Sequence, residues 1–141
     1  MNTQSQKSKL AAYRSISAQG AVAGADSHAL VQMLMDAAVE RMTSARACVE
    51  RGEIALKAKL LHSAVVLIAE LRGSLDLEKG GELAQNLSDL YEYMARRLIQ
   101  ANLASDVGAI TEVLGLLGEV RSAWVAIGPE VKQVPAAASA A

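Results

Sequence analysis

The chain has 141 residues, the length of one compact domain with a single core. Its 14 basic and 15 acidic side chains leave a net charge of −1, and neither sign forms a long block, which argues against nucleic acid as a partner. Apolar residues make up 52% of the chain. The longest apolar run without glycine, residues 64–69, is nevertheless far short of the roughly 18 residues a membrane span needs. The polar start lacks a signal-peptide core, so a cytoplasmic protein without membrane insertion is expected. Phenylalanine is absent and proline occurs only at Pro129 and Pro135. Little interrupts helix propagation and few residues favour strands, which predicts an all-α chain.

In chain order, residues 1–26 read as an arm. They are polar at first, then small and punctuated by Gly20 and Gly24, with Leu10, Tyr13 and Ile16 as the large apolar side chains. A first helix is predicted to open at Asp26 or Ser27, either of which can cap free amides, and to stop at Gly52. Val31, Met35, Ala38, Met42, Ala45 and Val49 form its core stripe. A second helix from Glu53 to about Asp76 repeats the pattern with Ile54, Leu61, Ala64, Ile68, Leu71 and Leu75. The LEKGG segment then supplies a reversal. The third helix is predicted over Glu82 to about Ala104, with Leu83, Leu87, Leu90, Met94, Leu98 and Ala101 inward. The fourth starts at the capping pair Ser105 and Asp106 and carries Ile110, Val113, Leu117, Val120 and Trp124. Gly128 and Pro129 are expected to end helical order, leaving 129–141 as a disordered Ala-rich tail. Helices of similar length joined by short loops predict an antiparallel up-down four-helix bundle over 27–128, preceded by an N-terminal arm or short helix.

Catalytic chemistry finds few carriers. His28 and His62 lack the Glu-x-x-His or His-x-x-x-His spacing that places two ligands on one helix face, and both read as structural histidines. Asp36, Asp76, Asp89 and Asp106 fall on polar faces or helix ends, where solvation or capping explains them. Gly80 and Gly81 follow a helix rather than a strand and lack the Lys-Ser/Thr of a phosphate loop, so they read as a turn. Arg96 and Arg97 read as solvated charge, and Cys48 as a small buried hydrophobe. The expectation is a protein with no catalytic residues, no metal and no cofactor.

The helices nevertheless carry more apolar positions than the three in seven a bundle core uses. Leu30, Met33, Leu34, Ala37 and Val39 widen the first stripe; Leu56, Leu60, Val66, Leu67 and Ala69 widen the second; Leu114 and Leu116 widen the fourth. A generous core, a self-association seam and a groove for a client segment each account for such a surplus.

The run GGELAQNLSDLYEYM at 80–94, followed by Arg97-Leu98, Ala101-Asn102-Leu103 and Asp106, has an order and spacing that generic bundle patterning does not supply. With LVQMLMDAA at 30–38 and the segment Leu71, Ser74, Leu75 and Asp76, it resembles the FliS family of flagellar secretion chaperones from Tyr13 through Trp124. Where that family often has an aromatic residue, Asp and Gly, this chain has Met35, Asp36 and Ala37, and the extra methyl narrows close approach there. The resemblance implies an antiparallel bundle without enzyme activity. Such a bundle would hold the disordered C-terminal segment of flagellin unpolymerised until export, with the flagellar export gate or a co-chaperone as further partners. It also implies that Tyr13 and Ile16 compete with flagellin for a groove built partly from Leu60, Leu67, Tyr91 and Met94, with Leu34 also assigned to client contact. The rival reading is a self-associating structural bundle, a homodimer with no client. A carboxylate-bridged metal enzyme would need inward Glu and His ligands.

Overall fold

A computed structural model describes the backbone of residues 23–133 and the side chains of 27–128. The expected N-terminal arm with Tyr13 and Ile16, and most of the C-terminal tail, lie outside the described residues. The described chain forms four helices, α1 (Ala23–Arg51), α2 (Ile54–Gly73), α3 (Leu77–Ala104) and α4 (Val107–Gln133).

The connections show why the helices stop where they do. At the end of α1, Gly52 takes a left-handed conformation with φ 73°. The Glu53 amide then returns to the Cys48 carbonyl at 2.9 Å, which closes the last turn. Helix α2 ends at Gly73, with the Ser74 hydroxyl donating to the Leu71 carbonyl at 2.7 Å. Asp76, expected near the end of the second helix, is instead the N-cap of α3 and accepts from the Lys79 amide at 3.0 Å. Its cap draws LEKG into a helical turn, so the expected reversal loop is part of α3. The break falls at Gly81 (φ 55°, ψ −133°), one residue before the predicted start at Glu82. Helix α3 ends on Ser105 at φ 49°, where the Asp106 amide bonds the Ala101 carbonyl at 3.0 Å. Asp106 then caps α4 through the Ala109 amide at 3.2 Å. Helix α4 continues past Gly128 and Pro129 to Gln133, contrary to the expected stop. Glycine before a proline lacks the Cβ that ordinarily crowds the ring, which removes one of the penalties for continuing the helix.

The described residues divide into two compact units, Leu34–Val120 and a smaller one made of residues 23–33 with 121–133. In the larger unit the helices pack as an antiparallel bundle. Lys57 near the start of α2 reaches Asn102 near the end of α3, and Arg72 near the end of α2 reaches Ser88 toward the start of α3. Arg97 of α3 meets Glu112 of α4, and Arg46 of α1 meets Thr111 of α4. Met35, Ala38, Met42, Ala45 and Cys48 of α1 are buried, as are Leu61, Ala64, Ile68 and Leu71 of α2, Met94, Leu98 and Ala101 of α3, and Ile110, Val113 and Leu117 of α4. Each large side chain buried this way contributes about 1.5–3 kcal/mol.

Two stripe assignments change. Ile54 and Leu83, expected inward, are exposed. The inward positions are Lys57 on α2 and Ala84, Ser88 and Tyr91 on α3. In the smaller unit, His28 is buried and stacks on Trp124 with ring centroids 4.4 Å apart and planes 7° from parallel. The two residues exchange bonds, His28 Nε2 donating to the Trp124 carbonyl at 2.7 Å and Trp124 Nε1 to the His28 carbonyl at 3.0 Å.

Candidate functional site

Helix periodicity gives α2 two flanks beside its buried stripe. On one lie Leu56, Leu60 and Leu67; on the other lie Ile54, Ala58, His62 and Val65. The second flank faces α3 and makes a groove with it. Leu61, His62 and Val65 line one wall and Leu98, Ile99, Asn102 and Leu103 the other, around a volume of about 310 Å³. Leu61 and Leu98 form the floor and are fully buried, whereas Ile99 is 52% and Leu103 85% exposed. Two large aliphatic side chains one helical turn apart thus stand in water at the edge of an apolar trough.

The local backbone explains this display. Ile99 and Leu103 lie on the last turns of α3, just outside the buried line of Met94, Leu98 and Ala101. Those turns are held from beneath by Lys57, which is 3% exposed. Its ammonium donates to the Asn102 carbonyl at 2.8 Å and the Ser105 hydroxyl at 2.9 Å, occupying acceptors that a helix end otherwise leaves open. At the other end of this face, Arg72 bonds Ser88 at 2.8 Å and Glu92 at 3.2 Å.

The opposite flank of α3 is polar and tied to α4. Tyr93 and Arg97 both donate to the Glu112 carboxylate, at 2.5 and 2.8 Å. The Tyr93 bond first, then Arg97, hold the Glu112 carboxyl below its ordinary range. Arg96 lies over the Tyr93 ring at 5.8 Å. Arg97 therefore belongs to a side-chain network, whereas Arg96 is exposed, as read from the sequence.

The residues assigned to client contact from sequence separate in the structure. Leu60 and Leu67 are half-buried on the flank of α2 away from the groove. Leu34, Tyr91 and Met94 are core residues at 5%, 3% and 0% exposure, and burial raises the Tyr91 phenol above its ordinary value. Ile99 had no place in the predicted stripes, although its spacing with Leu103, one turn apart and off the core line, was the available signal. Among the described residues no group of three or more His, Cys, Asp or Glu side chains is placed to hold a metal, and no helix is long and apolar enough to cross a membrane.

A family model described as flagellar protein FliS matches residues 9–131. A flagellar secretion chaperone FliS from Salmonella typhimurium is 45% identical over 124 residues, 87% of this chain and 92% of the relative. A flagellar secretion chaperone FliSB from Pseudomonas aeruginosa is 45% identical over 112 residues, 79% and 89% of the two chains. A FliS chaperone from Vibrio cholerae is 36% identical over 131 residues, 93% and 96%.

Proposed function

The chain belongs to the FliS family of flagellar secretion chaperones, and from that premise we propose that it binds the C-terminal segment of flagellin in the cytoplasm and keeps it from polymerising before export. The observation that carries this reading is the α2/α3 groove, with Ile99 and Leu103 exposed over the buried floor of Leu61 and Leu98. An amphipathic helix laid into such a trough buries its own apolar face together with these side chains. A segment that pairs through that face in a filament is then unavailable for pairing. Coupled folding costs such a segment about 2–5 kcal/mol, which keeps the complex reversible and lets the client be handed on. The flank of α2 away from the groove, with Leu60 and Leu67, adds a separate apolar contact, and the segment around Tyr13 and Ile16 competes with the client for part of this surface. The role requires no catalytic residue.

Calorimetric titration of the full chain with the C-terminal segment of the host flagellin tests the reading. Binding heat at micromolar concentration with a negative heat-capacity change is expected. Leu103→Asp, at a side chain 85% exposed, is expected to leave the fold intact and weaken binding about tenfold or more, because it places a carboxylate in an apolar contact. Removal of residues 1–17 is expected to leave affinity unchanged or raised. No heat with the full chain, or a stable homodimer that the segment neither binds nor dissociates, would reject the proposal in favour of a self-associating bundle.

A further inference from the structure

The groove is not uniformly apolar. His62 comes into it from α2 and Asn102 from α3, and every other lining residue is Leu, Ile or Val. Among the described residues, neither the His62 imidazole nor the Asn102 side-chain amide has a hydrogen-bond partner. The backbone carbonyl of Asn102, by contrast, accepts from Lys57. That bond, with the one from Lys57 to Ser105, fixes the turn from which the Asn102 amide is presented. In the free chain both side chains are open to water, His62 exposed and Asn102 half-buried. A segment that covers the groove removes this water and must replace its bonds.

Resting on the reading of this groove as the client site, we propose that His62 and Asn102 are specificity-determining residues. They select an amphipathic segment whose apolar stripe is interrupted by one neutral side chain carrying both a donor and an acceptor, an amide or a hydroxyl. The apolar neighbours of that residue, three or four positions away, seat against Ile99, Leu103 and Val65. A wholly apolar stripe strands both polar groups, and each buried group without a partner lowers affinity about tenfold. A lysine or arginine is rejected for a different reason. No carboxylate lines the groove, so the cation would be buried without a counter-ion. A side-chain amide, with two donors and an acceptor oxygen, can answer both walls at once. Selection therefore acts through the penalty on wrong segments, which a polar site imposes more strongly than an apolar one.

The test measures two affinities for each protein, one for the host flagellin C-terminal segment and one for a designed amphipathic peptide of the same length with an uninterrupted Leu/Ala stripe. Wild type is expected to prefer the flagellin segment. His62→Leu/Asn102→Leu is expected to lose about tenfold or more for flagellin and to gain for the designed peptide, reversing the preference. His62→Gln, which keeps hydrogen bonding without an imidazole, is expected to retain the wild-type preference. Circular dichroism and urea midpoints confirm that each variant folds. If the double Leu variant binds flagellin as well as wild type while Leu103→Asp abolishes binding, the groove is the site but its polar pair does not select, and this inference alone is overturned. If Leu103→Asp binds flagellin with undiminished affinity, the groove is not the client site, and this inference falls with that placement while flagellin binding itself stands.

Discussion

Gly80 and Gly81 are both required to be glycine, for unrelated reasons. At Gly81 the backbone sits at φ 55° and ψ −133°, a combination that side chains rarely adopt. At Gly80 an added Cβ would lie 2.5 Å from the Cβ of Ala84, a buried residue. Gly81→Ala is accordingly expected to lower stability by about 1–3 kcal/mol, measured as a shift in the urea unfolding midpoint. The glycine pair could be read from sequence as a turn because glycine has few other uses between helices. Lys57 could not. A stripe is recognised by its apolar members, and the period that runs through Leu61, Ala64 and Ile68 reaches Lys57 as readily as Ile54. What turns the lysine inward is the set of acceptors at the end of α3, supplied by residues 45 and 48 positions away. For the same reason the partners of His28 were hidden. Its imidazole is placed by Trp124 and by the bare face of Gly128, where a Cβ would come within 2.9 Å of the ring.

Between helices, the polar tie of α3 to α4 and the apolar groove of α3 with α2 occupy opposite flanks of one helix. The tie depends on pH in a direction its geometry sets. Bonds from Tyr93 and Arg97 favour the ionised Glu112 carboxylate and hold its folded value below the ordinary 4.5. The stabilisation is therefore fully present above about that pH and is lost as pH falls through the lower folded value. Glu112→Gln is expected to be less stable than wild type near neutrality, and to lose less further stability on acidification below pH 4.5 in urea titrations followed by circular dichroism. The stripes of α1 and α4 were legible because large apolar residues mark their buried positions, as at Met35, Met42, Ile110 and Leu117. On α3 the reading slipped toward Leu83, which is 70% exposed, because the true inward positions at the start of that helix are the small residues Ala84 and Ser88. A small residue facing inward lets a neighbour approach closely, here the Arg72 guanidinium. It leaves no mark in a hydrophobic pattern.

At the scale of the molecule, the order and antiparallel course of the four described helices follow from four periodic segments separated by capping and glycine signals. Family membership was legible in the motifs of α3. The groove was not, because it is made by two helices whose relative register only packing sets. One property of the core has consequences of a different kind. The chain contains no phenylalanine, and three thioethers lie in the interior, with Met35, Met42 and Met94 at 1%, 0% and 0% exposure. Met33, by contrast, is 48% exposed. Oxidation to the sulfoxide needs access to the sulfur, so dilute peroxide should modify Met33 promptly and reach the other three only when helices separate. Peptide mass spectrometry over time would then follow each site separately. Early conversion of Met42 or Met94 alongside Met33 would show that the helices part on the timescale of the reagent. The methionine core thus doubles as a clock for its own opening, and any client that enters between the helices would quicken it.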